Sequence, residues 1–258
     1  MIKYFGEKVN HFIQCSKNRM GPIDINRRMN MTIFDKVCFY VADIVPFLAS
    51  LGAFIYGVKH FFKKGKAYYL QIVTMAFGCY AMGSFYYLCQ SITAEEVPEG
   101  FTAAYLGRIG FFLFLFTANF GQMDGLLDDK TSTFKKFRYL AFLAPIAAAL
   151  LYVPCALTDM MISTKISLIF VWIAAMCSSY YNFKHAIISD LGYGFAKAIR
   201  PYNICALIIA FSELILHILW ANSDNCGFVI IAVVSIIFSV MCAVTMVALK
   251  RGVEAWKI

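Results

Sequence analysis

Seven apolar stretches, each long enough to cross a lipid bilayer, constrain this chain more than any other feature. They lie at 36–58, 67–92, 101–123, 138–158, 163–185, 202–221 and 227–249 of its 258 residues. Each holds about 20 or more residues, which at about 1.5 Å of rise per residue covers a hydrocarbon core of about 30 Å. A lone strand in lipid would leave its backbone groups unpaired, so each stretch is expected to be a helix. The expected class is therefore all-α: a polytopic integral membrane protein of seven transmembrane helices, with a polar, basic tail at 1–35 and a seven-helix domain at 36–258. Composition agrees, because only 15% of residues are charged where a soluble domain carries about a quarter.

Charge in the linkers sets the expected orientation. Lys59, Lys63, Lys64 and Lys66 follow the first stretch, and Lys130, Lys135, Lys136 and Arg138 follow the third. Lys184, Lys197 and Arg200 follow the fifth, and Lys250, Arg251 and Lys257 follow the seventh. The alternate linkers carry Glu95, Glu96 and Glu99, then Asp159 with a single Lys165, then Asp224. The positive-inside rule puts the basic set in the cytoplasm, and an odd number of spans then puts the N-terminus outside. The net charge of +8 reads as loops facing anionic lipid, and no nucleic-acid partner is expected. The tail disagrees: Lys3, Lys8, Lys17, Arg19, Arg27, Arg28 and Lys36 favour the inside. Either the many later charges override it or translation starts at Met29 or Met31. The tail has no 7–15-residue apolar core, so it is not expected to be a secretory signal.

Nine cysteines are scattered singly with no CxxC spacing, which gives no support to a zinc or redox site. Cys89, Cys155 and Cys226 fall near one membrane face and are candidates for a disulfide. A parallel three-plus-one-plus-three repeat is also suggested. Tyr56-Gly57-Val58-Lys59-His60 closes the first span much as Tyr181-Asn182-Phe183-Lys184-His185 closes the fifth. Tyr68 with Ala76-Phe77 is matched by Tyr202 with Ala210-Phe211. Such repeats occur in several transporter folds.

Ionisable residues inside a span are the main functional candidates. Asp43, Arg108, Glu213 and His217 come from three spans yet share one depth, roughly 7–14 Å below the outer surface at 1.5 Å per residue. Glu213 and His217 stand four residues apart, on one helix face. A charge in lipid costs about 2.5–3.5 kcal/mol even on the lenient insertion scale, so these residues should face inward and pair, Arg108 with Glu213 or Asp43. They form the expected ligand-binding group of an outward-facing polar pocket, where His217 adds sensitivity to protonation near neutral pH. The competing reading is an ion pair that only fixes helix register.

A second group, Asn119, Gln122, Asp124, Asp128 and Asp129, marks the inner end of the third span. Asp124 and Asp128 stand one turn apart and are weak candidates for a magnesium site acting on a lipid-linked diphosphate. Intramembrane prenyltransferases use an Asn and two Asp at a similar spacing, but Asn119 is one residue too far from Asp124 and a second aspartate motif is absent. The outline is similar to that of microbial rhodopsins, which bind retinal through a lysine midway along the last helix. Here the seventh stretch has no lysine before Lys250. No P-loop, HExxH or serine elbow occurs.

The leading expectation is a receptor or sensor-like protein of the plasma membrane. It would bind a small polar ligand or a proton and meet a cytoplasmic partner at its basic inner loops, with no cofactor. The alternatives are a small-solute transporter and a lipid-modifying enzyme using Asp124 and Asp128.

Overall fold

The computed structural model describes residues 33–93, 100–128, 131–158, 160–188, 194–222 and 227–256. All regular structure among those residues is helical, with no strand. The long helices are α1 (Ile33–Phe61), α2 (Tyr68–Thr93) and α3 (Ala103–Thr117), the last running into a π-helical segment at Ala118–Met123. A single turn, α4 (Asp124–Leu127), and a 3-10 turn (Ser132–Phe134) follow. Then come α5 (Lys135–Ala141), α6 (Leu143–Ala156), α7 (Ile162–Ile187), α8 (Phe195–Ala221) and α9 (Phe228–Trp256). Counting α5 with α6, seven helical runs are long and apolar enough to cross a membrane. The basic tail, the acidic loop at 94–99, Asp129, Lys130, Asp159, Asp224, Cys226 and Lys257 lie outside the described residues.

The helices depart from the hydropathy pattern at three places, each with a physical cause. The sixth span begins at Phe195 rather than at 202, so that Pro201 lies within α8. At this seventh position it removes one backbone hydrogen bond, the one Lys197 O would accept, and the helix runs on through it. The fourth span is broken between α5 and α6 at Phe142, whose N–H reaches back only to Tyr139 O (3.1 Å). Pro145 stands in the first turn of α6, where its missing N–H leaves nothing to donate to the α5 end. The third span ends in π rather than α geometry, and Asp124 N–H bonds Asn119 O, five residues back. Single π turns of this kind recur at functional positions. The expected disulfide does not involve Cys155, which is a free thiol packed into the apolar core.

Six helices close into a ring. α1 packs on α2, α2 on α3, α3 on α7, α7 on α8, α8 on α9, and α9 returns to α1. α6 stands outside the ring, against α7 and α8. The centre is aromatic: Phe77, Phe111, Phe112 and Phe238 are fully buried, with Phe77 and Phe111 edge to face at 5.6 Å. The outer faces carry Ile55, Met82, Leu106, Leu150, Ile173 and Val233, all well exposed. In water that surface would be an aggregation hazard. Against acyl chains it is the expected finish.

α2 and α3 approach closely at paired glycines, Gly83 and Gly107. A Cβ on Gly107 would stand 2.6 Å from both Cys79 O and Gly83 Cα. Small residues allow backbones in lipid to approach in this way, replacing the hydrophobic drive that water supplies elsewhere. Gly107→Ala is expected to push the helices apart and lower stability by about 1–3 kcal/mol. Gly52→Ala, where a Cβ meets nothing within 4 Å, should not. Thermal unfolding of the two variants in detergent checks the contrast.

Candidate functional site

The outer polar group assembles around one carboxylate. α8 carries Glu213, whose side chain is 2% exposed. Arg108 Nε on α3 donates to Glu213 Oε1 at 2.6 Å, and Tyr80 OH on α2 donates to Oε2 at 2.7 Å. The Arg108 guanidinium also lies 5.9 Å from the centre of the Tyr80 ring. Of the two partners expected for Arg108, the nearer is Glu213. Asp43, on α1, makes no hydrogen bond or ion pair with any described residue, and meets Arg108 only through the field between them.

His217 stands one turn beyond Glu213, as the spacing predicts. Its Nε2 lies 3.3 Å from Glu213 Oε1, but out of line for a hydrogen bond, so this buried nitrogen has no hydrogen-bond partner. The imidazole is sandwiched by aromatic rings, Tyr105 at 6.3 Å and Trp172 at 5.7 Å. Asp43, Arg108, Glu213 and His217 all line the same cavity, with Tyr80 and Trp220. Its volume is about 30 Å³. A water needs about 10–15 Å³ on this measure, so the space has room for about two or three waters.

A second network lies at the other end of the bundle, and most of it was not recognised as a site in the sequence. Asn119 Nδ2, in the π segment, donates to Asn182 Oδ1 on α7 at 2.8 Å, and Asn182 Nδ2 donates to Ser178 O at 2.8 Å. His185 Nδ1 lies 3.3 Å from Asn119 Oδ1 and its Nε2 lies 3.2 Å from Asp124 Oδ1. Lys184 Nζ bonds Asp124 at 2.5 Å and Asp128 at 2.7 Å. Arg138 on α5 closes the series, Nε to Asp128 Oδ2 at 2.7 Å and a terminal N–H to Oδ1 at 2.6 Å. This two-pronged geometry is the strong form of an arginine–carboxylate pair.

Asp124 and Asp128 are thus brought together one turn apart, but around the ammonium of Lys184, which stands where a bridging cation would go. Among the described residues no group of three or more His, Cys, Asp and Glu side chains is disposed to hold a metal. Burial works to raise the Asp124 carboxyl. The hydrogen bonds from His185 and Lys184 and the Lys184 charge outweigh it and hold the group below the usual carboxylate range. The stability it contributes is present above its unfolded value and is lost as pH falls through the lowered one.

Lys184 and His185 read in sequence as ordinary basic residues at a span end. The available signal was the pair of amides Asn119 and Asn182, each one turn short of a span end and at matching depth. No protein-family model, curated protein or solved structure matches this chain.

Glu213→Gln is expected to destabilise by about 3–5 kcal/mol, because it leaves the Arg108 charge inside the bundle without its counter-ion. Arg108→Met combined with Glu213→Gln should lose less than the two single changes added together. A double-mutant cycle in thermal or chemical unfolding reads this directly.

Proposed function

We propose that this chain is a seven-helix sensor of the plasma membrane, receptor-like in organisation, which responds to protonation at its outer polar site. One observation carries the reading. Four ionisable side chains from three helices converge on a cavity of about 30 Å³, and one of them, His217, keeps a buried nitrogen without a hydrogen bond there. A proton needs no more room than that, and imidazole is the side chain that titrates across the physiological range.

The chemistry follows from the geometry. Protonation puts a hydrogen on both ring nitrogens, so Nε2 must donate. Its nearest acceptor is Glu213 Oε1 at 3.3 Å, the same oxygen that accepts from Arg108 Nε. The two donors then compete for one carboxylate, and Arg108 is released toward Asp43, the unpaired acid on the opposite wall. The charged and titratable groups around His217 and its cavity are Asp43 on α1, Tyr80 and Tyr87 on α2, Tyr105 and Arg108 on α3, and Glu213 on its own helix. Glu213 joins α8 to α2 and α3, so any exchange among its partners shifts α8 against the first three helices. With no output domain in the described residues, the shift would be read by a cytoplasmic partner at the basic loops.

The charge asymmetry of the loops supports a cytoplasmic C-terminus and an external N-terminus. The packing order supports a parallel three-plus-one-plus-three arrangement. Mapping α1, α2 and α3 onto α7, α8 and α9 carries every neighbour pair of the ring onto another neighbour pair. That order also favours a second reading, a small-solute carrier, in which the two polar networks latch the seam between halves at either end.

Trp172 and Trp220 flank His217 and its cavity, so tryptophan fluorescence of the purified protein is expected to fall as pH drops from about 8 to 5. His217→Gln should flatten the titration while leaving the unfolding temperature near that of the parent. An unchanged titration in that variant, or uptake of labelled solute into proteoliposomes, refutes the sensor reading. A reporter fused after Ile258 is expected on the cytoplasmic side, and its appearance outside would overturn the orientation.

A further inference from the structure

A third polar feature lies apart from both networks. Where the chain enters the fourth span, the 3-10 turn, α5 and α7 enclose an open pocket of about 410 Å³. Its walls carry two cations, Lys135 and Arg138, and the hydroxyls of Ser132, Tyr139 and Tyr180. No carboxylate lines it among the described residues. The Lys135 ammonium meets no acidic partner among them either, and lies 6.0 Å from the Tyr139 ring. Arg138 is fixed by its two-pronged bond to Asp128, which makes that wall rigid. The remaining wall is Phe142, 52% exposed, and beyond it Leu143 and Ile146 continue the apolar surface of α6 at 54% and 53%.

We infer that this pocket binds the phosphate of an anionic phospholipid, with Lys135 and the Ser132 and Tyr139 hydroxyls around the headgroup and an acyl chain lying along Phe142, Leu143 and Ile146. Each part of the pocket matches one part of that molecule. A phosphate diester presents acceptor oxygens and a negative charge, and the polar walls offer donors and positive charge. Basic pockets between spans on the lysine-rich side are where anionic headgroups bind. The volume exceeds what inorganic phosphate needs, and the polar part opens directly onto a lipid-facing ridge. A soluble anion would gain nothing from that continuity. The site is independent of the outer cavity and stands whether or not the sensor reading does.

The test uses the full chain purified in a neutral detergent. Its unfolding temperature is measured against short-chain phosphatidylglycerol, phosphatidylcholine of the same chain length, and inorganic phosphate. Phosphatidylglycerol is expected to raise the midpoint by about 2–5 °C at saturation, and the other two to leave it within error. Lys135→Gln should weaken the response to phosphatidylglycerol about tenfold or more in concentration, the loss of one charged hydrogen bond. Lys136→Gln, on the neighbouring position outside the pocket, should not. Ser132→Ala gives a second reading if Lys135→Gln alone alters the lipid-free midpoint. Equal stabilisation by phosphatidylcholine would show that charge is not recognised. Equal stabilisation by inorganic phosphate would show that the ligand is a free anion. An undiminished response in both pocket variants would show binding elsewhere. Any of the three overturns the inference.

Discussion

A carboxylate inside an apolar bundle must find its counter-charge within the bundle, and Glu213 finds it on α3. In water a mispaired glutamate would be solvated at little loss. In hydrocarbon the alternative is an uncompensated charge, which costs several kcal/mol. Arg108 Nε and Tyr80 OH both bond Glu213, at 2.6 and 2.7 Å, so one side chain ties α8 to α2 and α3 together. The desolvation of such a pair offsets much of its attraction, and its main effect is on registry. Sliding α8 by a single turn would carry Glu213 about 5.4 Å from both partners. The aromatic layer beneath, with Tyr80 against Phe238 at 4.7 Å and against Phe111 at 5.4 Å, packs in one register because the charges above it accept only one.

The sequence made the spans legible because lipid demands them. A run of twenty apolar residues admits few readings, and the seven runs appear as seven helical runs long and apolar enough to cross a membrane. Arg108 and Glu213 were legible for the same reason, since intramembrane charge of opposite sign at one depth must meet. Helix ends were less so. Pro201 looks like a boundary by its backbone chemistry, yet α8 begins six residues earlier and runs through it at the loss of one backbone hydrogen bond. The π segment at Ala118–Met123 leaves no mark in hydropathy, since it changes the bonding partner and not the polarity of any residue. Lys184 was hidden by an expectation that is usually right: a lysine at the end of a span normally reaches outward to the headgroups. Here it turns inward, 4% exposed, because two carboxylates 56 and 60 residues away in the chain await it.

Both polar networks cross the same seam. At one end of the bundle the bonds run from α8 to α2 and α3. At the other they run from α7 to the π segment and to α4, which continue α3. Between them lies a layer of fully buried phenylalanines, Phe77, Phe111, Phe112 and Phe238. The π segment inserts one extra residue into the end of α3, and such turns recur at functional positions. Asn119 lies inside that segment, so rotation there would act directly on its bonds to Asn182 and His185.

The fourth span is tied to this seam although it stands outside the ring. Near one end Tyr152 OH bonds Lys165 O at 3.1 Å, and midway Trp172 Nε1 bonds Ala148 O at 2.9 Å. Neither bond reaches beyond α7. At the other end the tie is Arg138 to Asp128, and Asp128 is also held by Lys184. One carboxylate thus joins the start of the fourth span to the inner network and, through Lys184 and Asp124, to the end of α3. Asp128 is held between Arg138 on α5 and Lys184 on α7, so a shift of α5 against α7 would break one of its two ion pairs. This end of the bundle is in that sense one unit, in which the peripheral span has the same standing as the ring.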